Sequence, residues 1–418
     1  MITVGLDFGT HQTKVCIEDK NGVEINYTFM EFIDAYQRPY YTLPSIIGIG
    51  KDMKLTYGFL PDDFDGTILR YFKQSTFYTS STGLRQPYAI YYSIWFLAYI
   101  IFDLEKMYGQ NFTIQMGAPT DSSHINRAKS ISTKIIASAY RLVEEVFEND
   151  KDLFLSCTYN ELIDRTNIVP FSEEVKEEYG LLVFPEAYAC LKPLIKQGKL
   201  ATGMNLMVDI GGGTTDISFF TIEHGMPQVY DFFSINKGLN FLTCADEHEN
   251  FKHDSNVSQQ SEINKDRRVI LKNEIHQICA KLKRNLYSEL SKQTNFSPSR
   301  LTNALQNRPI VYCGGGSTFG ILRIPYTDFK DVKLISHSEW DAKSVNDMAL
   351  IQSRRLCPIL STAYGLAIST ENDKITMKPF RDIFTHIRGE GEDITTYGAT
   401  FGSALGGFNY GEDYSAWK

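Results

Sequence analysis

A short turn of aspartate, glycine and threonine occurs twice in this chain, once near its start and once near its middle. The first is Asp7-Phe8-Gly9-Thr10, directly after the apolar run Ile2 to Leu6. The second is Asp209-Ile210-Gly211-Gly212-Gly213-Thr214-Thr215-Asp216, set between Leu206-Met207-Val208 and Ile217-Ser218-Phe219-Phe220. Each reads as strand, tight turn, strand, with an aspartate where the first strand ends. Glycine lets backbone N–H groups approach an anion without a side chain in the way. Threonine hydroxyls add donors, and an aspartate at each turn can orient the water shell of Mg²⁺. A repeated turn of this kind implies two lobes that close on one polyphosphate from opposite sides.

The bulk properties agree with two lobes. At 418 residues the chain exceeds the length at which a single core usually stops growing. A net charge of −8 with no long basic run argues against nucleic-acid binding as the main task. Seven cysteines (16, 157, 190, 244, 279, 313 and 357) are scattered with no C-x-x-C pair, and with a strand opening at Ile2 no cleaved leader is expected. Both points lead us to expect a reducing, cytoplasmic setting. The uncharged stretch Tyr88 to Phe102 is shorter than the roughly 18–20 apolar residues of a spanning helix, so it is expected to be a buried helix of lobe I. No membrane association is expected.

Along the chain, lobe I is expected over residues 1–200, with an inserted subdomain at about 29–110 rich in tyrosine, proline and glycine. Phe112 to Ala118 reads as a strand, Ile125 to Glu148 as a helix with N-cap candidates Asp121, Ser122 and Ser123, and Leu181 to Phe184 as another strand. Pro185-Glu186-Ala187 opens a short helix, and Gly198–Gly203 reads as a hinge. Lobe II is expected over 201–359, with an insertion at about 236–305 that includes a polar loop (247–266) and a long helix from about Arg267 to Leu290. Pro309 to Cys313 reads as a strand entering Gly314-Gly315-Gly316-Ser317-Thr318. A helix at 360–371 returns to lobe I, and 372–418 is a tail without an assigned role. Cys244, Asp246, His248 and His253 fit no standard zinc spacing and read as a solvated loop.

Five elements then stand in order: DFGTHQTK at 7–14, PEA at 185–187, DIGGGTTD at 209–216, GGGST at 314–318 and AYGLA at 363–367. Together they resemble the actin-like ATPase superfamily, and most closely the nucleotide-binding domain of the seventy-kilodalton heat-shock (DnaK-type) chaperones, over roughly residues 1–370. The resemblance implies an α/β fold of two ribonuclease-H-like lobes with inserted subdomains and an interlobe nucleotide cleft. It implies ATP or ADP with Mg²⁺ as ligands. Asp7 and Asp209 match the aspartates that arrange Mg²⁺ through its waters. Gly9, Thr10, Gly211, Gly212, Gly213, Thr214 and Thr215 match the phosphate turns, where His11 also sits. Glu186 matches the acid that helps place the attacking water. Gly314, Gly315, Gly316 and Ser317 match the turn that borders the adenosine, and Lys283-Arg284 resembles the basic pair that packs on the adenine.

Two lysines compete for the γ-phosphate: Lys73, where the chaperones need one, and Lys14, where actins place one. Pro185-Glu186 also has the order of plasmid-segregating bacterial actins, whereas chaperones show Glu-Pro. There is no G-x-x-x-x-G-K-[ST] loop and no dinucleotide-binding G-x-G-x-x-G after a strand. The expected function is therefore a slowly hydrolysing Mg-ATP switch of chaperone type. Only 49 residues follow Ser369, which leads us to expect that it lacks a peptide-binding domain of its own. A filament-forming bacterial actin is the alternative, and a small-molecule kinase or a nucleotide-binding pseudoenzyme are lesser ones. The expected partners are a nucleotide and either an unidentified protein or further copies of the chain.

Overall fold

A computed structural model describes residues 1–77, 88–119, 125–196, 200, 205–223, 226–243, 263–292, 309–318, 331–334 and 356–371. The hinge expected at Gly198–Gly203, the N-cap candidates 121–123, most of the polar loop with its histidines, and the tail after 371 fall outside these residues.

Two five-strand paths carry the architecture. The first uses β1 (Ile2–Asp7), β2 (Gln12–Asn21), β3 (Glu24–Phe29), β4 (Phe112–Ala118) and β5 (Leu181–Pro185), in the order β5-β4-β1-β2-β3. The second uses β6 (Asn205–Ile210), β7 (Thr215–Glu223), β8 (Met226–Ile235), β9 (Pro309–Cys313) and β10 (Asp331–Leu334), in the order β8-β7-β6-β9-β10. In each, the first three strands form an antiparallel meander, the fourth pairs with the first in parallel, and the fifth pairs in parallel with the fourth. Strand order and polarity are identical, so the chain folds as two ribonuclease-H-like α/β lobes.

The helices follow from sequence pattern. Short α1 (Phe72–Phe77) leads towards α2 (Ala89–Tyr108), which is the uncharged stretch extended by two turns. α2 is apolar nearly all round, as a helix in the middle of a core must be. Trp95 is fully buried and donates its indole N–H to Thr166 Oγ1 at 2.7 Å. Among the described residues no helix is long and apolar enough to cross a membrane. α3 (Ile125–Arg141) is shorter than expected, because the chain widens into a π-turn at Leu142–Val146 and then reverses through Glu148 and Asn149 at positive φ. α4 (Glu186–Ala189) follows β5, α5 (Lys265–Leu290) packs on β8, and α6 (Leu356–Ala367) lies across β1 and β2. The segment between β3 and α1 builds a two-stranded sheet, a three-stranded sheet and a lone strand, Leu43–Pro44, that pairs with β2.

One apolar cluster joins the lobes. It takes Phe184, Ala187 and Leu191 from the β5–α4 side, Met207, Phe220, Val311 and Cys313 from the second sheet, and Leu366 from α6. α4 and α6 cross there so closely that a Cβ added at Gly365 would lie 1.8 Å from the Ala189 carbonyl oxygen. This shared core fixes the ends of β1 and β6 on one cleft.

Candidate functional site

The two glycine-threonine turns touch each other. Gly212 sits against His11, where an added Cβ would lie 2.5 Å from the histidine Cβ, and Gly213 sits as closely against Thr10. Only glycine permits that approach. Gly9, Thr10, His11, Lys14, Gly211, Gly212, Gly213 and Thr214 line one cleft together with Asp7, Lys73, Glu186, Asp209, Gly314 and Gly315. The opposed turns expected from sequence thus share a single crevice.

Each turn is held by its own lobe. The Gly9 carbonyl accepts from Ser45 Oγ at 2.7 Å, and the His11 carbonyl accepts from the Ser45 N–H at 2.9 Å. In the second turn the Gly211 and Gly212 carbonyls accept from the N–H groups of Leu239 and Asn240 at 3.0 and 2.8 Å. Gly314, at φ 78°, brings the third turn against the Asp209 carboxylate and the Ile210 carbonyl.

The duplicated strands put different charges at equivalent places. Asp7 lies opposite Lys14 in the β1–β2 register, and Lys14 Nζ donates to Asp7 Oδ2 at 2.8 Å. Asp209 lies opposite Asp216 in the β6–β7 register. Lobe I therefore offers a neutralised pair and lobe II offers two acids. Lys73 on α1 donates to Glu186 Oε1 at 2.5 Å, with the lysine side chain buried and that of Glu186 14 % exposed. The two competing lysines are both in the cleft, and each is committed to a carboxylate.

Burial sets the protonation. Desolvation first, then the charges of Glu186 and Asp7, push Asp209 up to about 7. Desolvation also raises Asp216 and Glu186, against the opposing pull of Lys73 on Glu186. His11 is lowered to about 4 by burial and by Lys14 and Arg70, so it is neutral at physiological pH. Four carboxylates thus face two ammonium groups in one buried cleft. Asp216 Oδ1 is buried without a hydrogen-bond partner among the described residues, although Oδ2 accepts from Thr214 Oγ1 at 3.2 Å. An excess of strained acids fits a hard, hydrated divalent cation such as Mg²⁺, and without one it would repel a polyphosphate.

Some expected residues stand elsewhere. Thr215 is fully buried and donates to the Lys237 carbonyl at 2.8 Å, so it braces the turn from behind. Ser317 closes its own turn on the Gly314 carbonyl at 2.7 Å, and Gly316 packs on Ile210. Arg284 is exposed on α5 and is not part of the cleft wall; Lys283 lies on the same helix, its side chain outside the described set. Residues that sequence reasoning missed include Asn240, Asp216, Pro119, Leu239 and Gln74. Asp216 stands inside the second motif and could have been singled out there. The Asn240 amide is 4 % exposed, lines the cleft and has both polar atoms without a partner among the described residues. Gln74, next to Lys73, reaches across to lobe II, where its amide donates to the Gly213 carbonyl at 3.1 Å and to Asn236 Oδ1 at 2.9 Å.

No protein-family model matches the chain, and no curated protein matches it in sequence. Solved structures do match in shape. The chain is similar to MreB5 of Spiroplasma citri bound to ADP, at 14% identity over 87% of this chain and 95% of that one, TM-score 0.42. It is likewise similar to the ethanolamine utilization protein EutJ from Carboxydothermus hydrogenoformans (14% identity, 88% and 89% coverage, TM-score 0.37). A third is Ta0583, an archaeal actin homolog, in complex with ADP (14%, 88% and 98%, TM-score 0.39).

Proposed function

We propose that this protein is an actin-like ATPase that binds Mg-ATP between its lobes and hydrolyses it slowly, using the nucleotide as a conformational switch. The carrying observation is the meeting of the two turns: Thr10 and His11 of lobe I against Gly212 and Gly213 of lobe II, with Asp7, Asp209, Glu186, Lys14 and Lys73 around them. Backbone N–H groups of both turns hold the phosphate chain, and Thr10 and Thr214 add hydroxyl donors. Mg²⁺, when bound, would offset the acid excess and screen the phosphates. Asp7, Asp209 and Asp216 are the residues placed to orient its waters.

Hydrolysis in such a site rests on positioning and charge stabilisation, with little covalent work by the protein. Glu186 begins α4 at the floor of the cleft and orients the attacking water. Lys73, released from Glu186 as phosphate charge arrives, stabilises the γ-phosphate, and Lys14 exchanges Asp7 for a phosphate oxygen in the same way. The Asn240 amide offers a donor and an acceptor to the nucleoside. Loss of the γ-phosphate loosens contacts that both lobes share, which gives a two-state device.

The switch is read as chaperone-like from the Gly314–Thr318 turn, whose Gly314 and Gly315 line the cleft. Lys14 beside Asp7 and the Pro185-Glu186 order favour a second reading, a nucleotide-dependent filament. Phosphate release from Mg-ATP, measured for wild type and for Asp209→Asn, tests the shared core of both readings. Turnover in wild type and its loss by at least about 100-fold in the variant are expected. Equal turnover in the two removes Asp209 from the mechanism. Sedimentation with and without Mg-ATP then separates the readings, since only a filament pellets.

A further inference from the structure

Beneath the cleft lie three sulfurs that the nucleotide reading leaves unused, next to Asp209, which it does use. Cys190 follows α4, Met207 and Asp209 lie two apart on β6 and so share a face, and Cys313 ends β9 in register with Asp209. Cys313 Sγ is 3.6 Å from Cys190 Sγ and 3.5 Å from Met207 Sδ, and Cys190 Sγ is 2.9 Å from Met207 Sδ. The two thiols and an Asp209 carboxylate oxygen all lie within 4.8 Å of one another. All three sulfur-bearing side chains are fully buried.

We propose that Cys190, Cys313, Met207 and Asp209 form a binding site for a soft, thiophilic d¹⁰ cation of the zinc–cadmium–copper(I) class. Metal–sulfur bonds of about 2.3 Å put tetrahedral sulfurs about 3.8 Å apart, so two of the three sulfur–sulfur edges already stand within a few tenths of an ångström of that spacing. The third edge lengthens when Met207 backs off along its flexible chain. Two thiols, a thioether and one carboxylate are a donor set that selects soft metals over Mg²⁺ or Ca²⁺. On binding, each thiol gives its proton to solvent, so two thiolates and the Asp209 carboxylate meet the cation's charge. Nothing is oxidised or reduced.

The site has a consequence for the cleft. Asp209 faces both the sulfurs and the cleft, so a soft cation turns its carboxylate inward and removes it from the nucleotide side. Soft-metal binding and Mg-ATP binding therefore oppose each other, and the opposition is reciprocal. The metal site itself does not depend on the nucleotide reading.

The test titrates the intact, reduced, nucleotide-free protein with Cd²⁺ and follows thiolate-to-cadmium charge-transfer absorption. One tight equivalent is expected in wild type and in Cys157→Ser, whose thiol lies in lobe I. At least a tenfold loss of affinity is expected in Cys190→Ser and in Cys313→Ser, each checked for folding by circular dichroism. X-ray absorption at the cadmium edge of the wild-type complex needs no variant and should read two or three sulfur neighbours. A spectrum with only oxygen and nitrogen neighbours, no stoichiometric binding, or full binding in the double serine variant overturns the proposal and leaves the sulfurs as core packing. With one equivalent of Cd²⁺ bound, Mg-ATP affinity should fall at least tenfold. Unchanged affinity would overturn the coupling through Asp209.

Discussion

Replacing Asp209 by Asn should stabilise the nucleotide-free protein, and should do so in a pH-dependent way. Asp209 is 9 % exposed and is pushed from an ordinary carboxylate value to about 7 by desolvation and by Glu186 and Asp7. A carboxyl group with a raised folded pKa binds more protons folded than unfolded. Its ionisation therefore costs stability as pH rises from the unfolded value towards the folded one, and the cost levels off above it. Working the linkage from those two values, the cost is about 4 kcal/mol at pH 8, about 3 kcal/mol at pH 6 and under about 1 kcal/mol at pH 4. Asn is neutral in both states, so the variant should exceed wild type by at most these amounts. The assay is thermal unfolding of both proteins over that pH range in chelator, without nucleotide. Taking the difference between the proteins matters, because His11, lowered to about 4, pulls the other way: its contribution is present above its unfolded pKa and is lost as pH falls towards 4. A variant less stable than wild type at pH 8, or a difference that does not shrink towards pH 4, would refute the reasoning.

Other expectations follow from single contacts. Lys73→Met leaves Glu186 buried without its cation and should cost about 3–5 kcal/mol, whereas Lys73→Met with Glu186→Gln should regain most of the stability and none of the turnover, as thermal melts and phosphate release would show. Gln74→Ala cuts the bridge from α1 to Gly213 and Asn236 and should speed nucleotide dissociation roughly five- to tenfold, about the worth of one net hydrogen bond, read by displacement of a fluorescent analogue. Gly365→Ala drives a methyl group into the Ala189 carbonyl where α4 and α6 cross, and should lower stability by about 3 kcal/mol or more; a melt unchanged from wild type would mean that the helices are not so closely packed.

What the sequence made legible was mostly local. The turns at Gly9 and Gly212 are encoded in a few adjacent residues, so their geometry could be read without the fold. The uncharged run from Tyr88 announced a core helix for the same reason. Helix limits were less legible: α3 ends early because the chain widens into a π-turn that leaves no mark in the hydrophobic period. The partners of charged groups depend on register and on distant chain segments. Lys14 meets Asp7 because β1 and β2 pair at that position, and Lys73 meets Glu186 across 113 residues. Gln74 finds Gly213 across 139 residues, and nothing beside it in the chain hints at that contact. Thr215 and Ser317 show the opposite limit. They belong to the motifs, yet their hydroxyls are spent on the Lys237 and Gly314 carbonyls inside the turns.

The central claim is that both turns hold one phosphate chain. A crystal structure with Mg²⁺ and a non-hydrolysable ATP analogue tests it most directly. Phosphate oxygens should lie within about 3.2 Å of backbone nitrogens from both the Gly9–Thr10 turn and the Gly211–Thr214 turn. A nucleotide bound elsewhere, or touched by one turn alone, would contradict the account.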